Sequence, residues 1–510
     1  MDRRFFLALI LTALVVVATP WIFPSARRVP PTSATADSLR IDSPAAAPRP
    51  AAPGVVSAAP AGVDATQGAD SATRRAPLVV DTLRVAAGGA TYDFVTAGAA
   101  PVAVQMPAYR DLRRLGGERG DVDIVPRGDR LLHYRFVVAP GDTIALDTIP
   151  MQAERVASAG AADGVRFTGT TARGPVTIAY TFVPGDSAYL ATVSGRLENA
   201  PEGTRLLIDL PRGLRSAEVD TLEDMKHLAY SYKRPNEDVE SISFSKLDTM
   251  RARTDTGQMA WIAVRNKYFL TALIGVEEEV PFRGVRMTGA RPIAKGVVPD
   301  ARATAIMPLE QGGFSFQLYA GPQKYERLNA IGRDLINVNP YGGWFAGMVQ
   351  PFATIVMRSL LWLKQTTMLS YGWVLVIFGV LVRLLIWPLN QSAMRSSIKM
   401  QRLQPQLQEV QAKYGRDPEK QREAMMKVYA EHGMSPFSPI LGCLPMMIPM
   451  PVLFALYHVF QNTIEFRGQS FFWMPDLTLK DPYYITPIFM GLSMLLLSWI
   501  GMRAAPQTPQ

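Results

Sequence analysis

Residues 374–390, VLVIFGVLVRLLIWPLN, decide how the chain is read. With Trp373 and Trp387 near its ends, the run matches the roughly 20 apolar residues that a hydrocarbon core of about 30 Å asks of a helix. Arg383 is the exception inside it. A charge at the centre of a membrane helix costs roughly 2.5 to 3.5 kcal/mol on insertion scales, so Arg383 needs either a hydrated neighbourhood or a route to the head groups. It lies six residues before Leu389, about 9 Å along a helix, within snorkelling reach of the interface. The residues alone leave both readings open.

Three further segments, residues 5–23, 440–460 and 484–502, have the length and apolarity of spans. The fold class expected is a multi-span α-helical membrane protein with a large all-β, β-sandwich extracytoplasmic domain and a cytoplasmic helical hairpin. At 510 residues a chain of several parts is expected. The net charge of +9 does not imply nucleic acid, because no basic stripe with interleaved aromatics accompanies it. One cysteine, Cys443, excludes an internal disulfide, and the four scattered histidines give no metal-ligand spacing. No metal and no cofactor is expected.

Residues 1–4 and the run 5–23 read as a cytoplasmic N-terminus and an uncleaved signal anchor. The Pro- and Ala-rich residues 24–76 form a disordered linker, too poor in apolar surface to offset the entropy of ordering. Across residues 77–335, short β-branched runs separated by Gly, Pro and Asp turns, such as HYRFVV, GVRFTGTT and WIAVR, predict the sandwich. Residues 350–367 place Phe352, Val356, Leu360 and Leu363 on one helical stripe, predicting an amphipathic helix in the outer interface, with packing on the β domain as the alternative.

Residues 391–435 hold Arg395, Lys399, Arg402, Lys413, Arg416, Lys420, Arg422 and Lys427, whereas the loop 461–483 holds only Arg467 and Lys480. By the positive-inside rule the first is cytoplasmic and the second external, which also places the β domain outside and the tail 503–510 inside. Within 391–435, two antiparallel helices are expected, the second starting at Pro418 with Asp417 as its N-cap. This basic hairpin is either a solvated connector or a docking arm for a partner or lipid head groups.

The segments RLLIWPLNQSAMRSSIKMQRLQPQLQEVQAKYG, LGCLPMMIPMPVLFALYHVF and FFWMPDLTLKDPYYITPIFMGLSM resemble, in order, the core of the YidC/Oxa/Alb insertases. WIAVRNKYFLTALI and LYAGPQKYERL are similar to the periplasmic domain of the Gram-negative branch. The resemblance implies a bacterial inner-membrane insertase and chaperone, acting without covalent chemistry. It would serve nascent membrane proteins, alone or with the Sec translocon, and receive them from the ribosome or signal-recognition targeting factors, in contact with membrane lipids. It implies a hydrophilic groove carrying Arg383, lined also by Gly379, Cys443, Met446, Met447, Met450 and Phe454, the last five of which plain packing, or for the methionines a lipid-facing place, explains equally well. It further implies five core spans, of which the chain to Gln510 accounts for three, so a truncated reading frame or fragment is expected. Pro449 and Gly379 stand where the family pattern carries a Gln and a hydroxyl, which alters the polarity expected of the groove. A transporter and a membrane-anchored sugar-binding protein are the alternatives. For an enzyme, only His133 and His227 offer themselves, with no nucleophile, P-loop or metal spacing to organise them.

Overall fold

The computed structural model describes residues 81–113, 120–138, 141–156, 164–182, 189–277, 279–339, 346–415, 417–431 and 450–504. The chain divides into two compact units, Met1–Thr73 and Arg74–Gln510, and every described residue belongs to the second. The expected signal anchor and linker, all of residues 432–449, Arg416, and the end of the tail lie outside the described residues.

Strands from Thr82 to Pro322 form three antiparallel sheets of four, nine and six strands. Their alternation is legible residue by residue. In His133–Val138, Tyr134, Phe136 and Val138 are buried while the residues between them are half-buried, the period of two that a pleated strand imposes. GVRFTGTT and GPVTIAYTF pair as a hairpin, in register from Gly164 opposite Thr181 to Thr171 opposite Gly174. Tyr180, in the nine-stranded sheet, ties the sheets together: its hydroxyl bonds that of Tyr134 in the six-stranded sheet at 2.7 Å and donates to the Ala99 carbonyl, beside the four-stranded sheet, at 2.9 Å. Phe136 and Phe282 of the six-stranded sheet meet Phe314 and Phe316 of the nine-stranded one. The outcome is a face-to-face β architecture with an aromatic core.

The strands Trp261–Arg265 and Phe269–Ile274 are buried on both faces. Their far side lies under the segment 325–338, where Trp261 Nε1 donates to the Arg333 carbonyl at 2.9 Å and Leu335 and Val338 join the core. Asn266 shapes the turn between them by accepting from the Tyr268 and Phe269 N–H groups at 3.1 and 2.8 Å.

Seven α-helices occur among the described residues: α1 Thr221–Lys226, α2 Tyr325–Ile331, α3 Ala346–Thr367, α4 Tyr371–Tyr414, α5 Pro418–Glu431, α6 Met450–Asn462 and α7 Ile485–Ala504. Three findings bear on these expectations. The span 372–389 and the first hairpin helix are one element, a 44-residue helix running through Pro388 and Pro405. At 1.5 Å per residue it is about 66 Å long, twice what a bilayer core needs. Each proline removes one ladder bond, and the turns on either side carry the helix across it. The stripe assigned to the interface also faces protein: Val356, Leu360 and Leu363 are buried with Val374, Phe378, Ala455 and Val459, while Phe352 points out. Finally, among the described residues only Tyr371–Pro388, mean hydropathy 1.9, is long and apolar enough to cross a membrane; Ile485–Ile500 is a shorter apolar helix.

Helix α5 starts as its sequence predicts, with Asp417 accepting from the Lys420 N–H at 3.3 Å. It packs back on the C-terminal half of α4, burying Tyr429 and Leu403.

Candidate substrate face and its anchor

Helix α3 packs against both α4 and α6, and the contact fixes only one part of α4. Val374 and Phe378 are buried in it. At Gly372 any side chain would run into the Phe471 ring, 2.0 Å from where a Cβ would stand, so glycine is what lets the loop 461–483 close over the start of the span. Trp373 completes the seat, edge-on to Phe471 at 5.6 Å and to Phe472 at 5.7 Å.

Past Phe378 the helix opens. Gly379, Val380, Leu381, Arg383, Leu384 and Leu385 are all exposed, Leu385 by 79%. No described residue comes within 4 Å of a Cβ built on Gly379, one turn before Arg383. Arg383 sits twelve residues into α4, about 18 Å from its start, and makes no ion pair with any described residue. On α6, Met450 and Phe454 are exposed by 44% and 45%, with Leu453 and Tyr457 beside them. The structure describes no contact between Arg383 and Met450 or Phe454. Cys443, Met446 and Met447 lie outside the described residues.

Of the hairpin cations, Arg395, Lys399 and Arg402 lie on α4, and Lys413 is exposed at its end. Lys420, Arg422 and Lys427 are exposed on α5, Lys420 paired with Asp417 at 3.1 Å.

The loop 461–483 also carries an anchor that no local pattern announces. Arg467 is buried, its Nε donating to Glu218 Oε1 at 2.7 Å and its Nη2 to the Arg110 and Ala217 carbonyls at 2.9 and 3.1 Å, with the guanidinium over the Phe269 ring. Two residues earlier, Glu465 is buried, and burial pushes its carboxyl up to about 7. Its Oε1 accepts from the Tyr325 N–H at 3.3 Å. The loop is thereby fastened to the β-rich region through both residues. Asp481 of the DPYY segment accepts from the Tyr483 and Thr486 N–H groups at 3.0 and 2.7 Å and so shapes the entry to α7.

The two histidines weighed for catalysis are placed in structural settings. Asp129 at 2.8 Å and Asp147 at 2.7 Å hold His133 from both ring nitrogens and push its pKa up to about 9, so it is an imidazolium near neutrality. Burial pushes His227 down to about 4, and its carbonyl caps Arg265. Neither is poised as a base near pH 7.

Two family models match the chain, the YidC periplasmic domain over residues 130–355 and the 60Kd inner membrane protein over residues 362–510. Among curated proteins, the membrane protein insertase YidC of Anaeromyxobacter dehalogenans strain 2CP-C is 35% identical over 257 residues, covering 49% of this chain and 43% of that one. That of Geobacter metallireducens is 35% identical over 240 residues, covering 46% and 42%. The matches thus span less than half the length of these relatives. The crystal structure of YidC from Thermotoga maritima aligns at 15% identity and a TM-score of 0.28, covering 62% of this chain and 72% of that one. On the sequence matches, which take in both the β-rich region and the helical region, the chain belongs to the YidC family.

Proposed function

We propose that this chain is a membrane protein insertase and chaperone of the bacterial inner membrane, working without covalent chemistry on nascent membrane proteins. The observation that carries the reading is the open face of α4, where a single cation stands amid exposed apolar side chains on a helix of spanning length. A cation in that setting attracts acidic residues of an incoming segment. At an effective dielectric of about 20 and a separation of 4 Å the attraction is on the order of 4 kcal/mol, enough to capture and weak enough to release. The neighbouring apolar surface, Val380, Leu384 and Leu385, then offers the segment a path into lipid. Gly379, Met450 and Phe454 line that path.

In this reading the chain is multi-pass, its N-terminus cytoplasmic and its β-rich domain periplasmic, because the cations of α4 and α5 mark the inner side. The basic hairpin receives clients from the ribosome or from targeting factors, and the β-rich domain contacts the Sec translocon. The test is rescue of insertase-depleted cells by this protein carrying Arg, Lys or Ala at position 383. Rescue that needs a positive charge at 383 is expected; full rescue by the Arg383→Ala form, across several clients, would contradict it.

A further inference from the structure

The β-rich region holds a cleft of about 540 Å³ that the insertion mechanism does not use. Loops distant in sequence bring four guanidinium groups to its walls: Arg113, Arg127, Arg212 and Arg215. Two of them are held from behind, Arg113 by Asp111 and Arg215 by Asp123, the latter at 2.9 Å, and neither aspartate lines the cleft. Arg127 and Arg212 are exposed and make no ion pair among the described residues; Arg212 acts on Asp129 only through space. Asp129 is itself engaged by His133, whose imidazolium offsets its charge. The cleft thus sets four guanidiniums against the carboxylates of Asp129 and Asp300, with two guanidiniums oriented from behind and two left to a ligand. Arginine forks suit the oxygens of a phosphate, and four of them suit a dianion better than a single carboxylate. Asp300 and Thr221, also on the wall, are acceptors for hydroxyl groups. The volume is that of a small-molecule site.

We propose that this cleft binds a phosphorylated polyol, the phosphate held by Arg127 and Arg212 between the braced Arg113 and Arg215, and the hydroxyls by Asp300 and Thr221. The same chemistry occurs in soluble sugar phosphates and in a phosphatidylglycerol head group. The site is independent of the insertion activity. The test is calorimetric titration of the full chain in zwitterionic nanodiscs with glucose 6-phosphate, with glucose as the uncharged control. Saturable binding of the phosphate ester and none of glucose is expected, weakened roughly ten-fold or more in the R127A/R212A double variant. Asp300→Asn should lower the preference for glucose 6-phosphate over inorganic phosphate. Competition by dihexanoyl phosphatidylglycerol, kept below its micelle concentration, would assign the site to a head group, and its failure to compete would assign it to a soluble ester. Both arginines are exposed, so circular dichroism of the double variant should match the wild type. Absence of saturable binding by the wild type, or equal binding by the double variant, would overturn the proposal.

Discussion

The strand His133–Val138 and the helix Ile485–Ala504 use similar apolar residues for opposite ends. In the strand, Tyr134, Phe136 and Val138 are wholly buried and His133, Arg135 and Val137 between them are half-buried. In the helix, Phe489, Leu495 and Leu497 are exposed by about 70% each. In the membrane reading proposed above, the difference is that of the solvent each element has to satisfy. A strand in water hides its apolar face against another sheet, whereas a helix satisfies its own backbone and can turn apolar side chains outward where lipid replaces water. Helix α4 shows both behaviours along its length, packed at Val374 and Phe378 and open from Gly379 onward. Arg383 stands in the open part, the place where one polar side chain matters most.

Substitutions sharpen this contrast. The largest effect is expected at Arg467→Ala, which leaves Glu218 as an uncompensated buried charge; the loss should be about 3 to 5 kcal/mol, read by denaturation of the detergent-solubilised chain. Phe94→Ala, in the aromatic core, should cost about 3 to 5 kcal/mol by the same measurement, at the lower end if the surrounding rings collapse into the space. Next comes pH. Glu465 has its folded pKa raised to about 7 from an ordinary 4.5. Between those values the unfolded chain releases a proton that the folded chain keeps, so stability falls as pH rises from 4.5 to 7, by on the order of 3 kcal/mol, and levels off above. Glu465→Gln should flatten that slope. His133, raised from 6.5 to about 9, acts with the same sign: its contribution is full below pH 6.5 and lost as pH rises through 9. The smallest effect is expected at Leu385→Ala, within about 0.5 kcal/mol, because that side chain touches little protein. A loss at Leu385 as large as that at Phe94 would break the contrast between the two regions.

The strands were readable because period-two alternation and Gly, Pro and Asp turns are local signals, as in HYRFVV and at Asn266. The N-cap at Asp417 was readable for the same reason. The span 372–389 was bounded where the apolar run gives way to polar residues, but a change of composition does not end a helix, and the ladder continues through Pro388 and Pro405. Of the stripe Phe352, Val356, Leu360 and Leu363, the last three share a buried face and Phe352 points out; periodicity does not say whether such a face meets lipid or protein, and α6 decided it. The Arg467–Glu218 pair joins residues 249 apart and left no trace in either segment. The four arginines of the cleft likewise come from three segments distant in sequence, Arg212 and Arg215 sharing one. Arg383 stood out at once, since one charge in an apolar run is a signal of composition, while what surrounds it is not.

The most direct measurement is site-specific photocrosslinking from Val380 and Leu384, on the open face, and from Leu360, on the packed face of α3, to a nascent single-span client carrying one acidic residue. Capture of an acidic segment at Arg383 predicts client crosslinks from positions 380 and 384 but not 360. Their yield should fall several-fold when Arg383 becomes Ala or the client acid becomes its amide, and hold when Arg383 becomes Lys. Equal yields from the Arg383→Ala form, or client crosslinks from Leu360 alone, would contradict it.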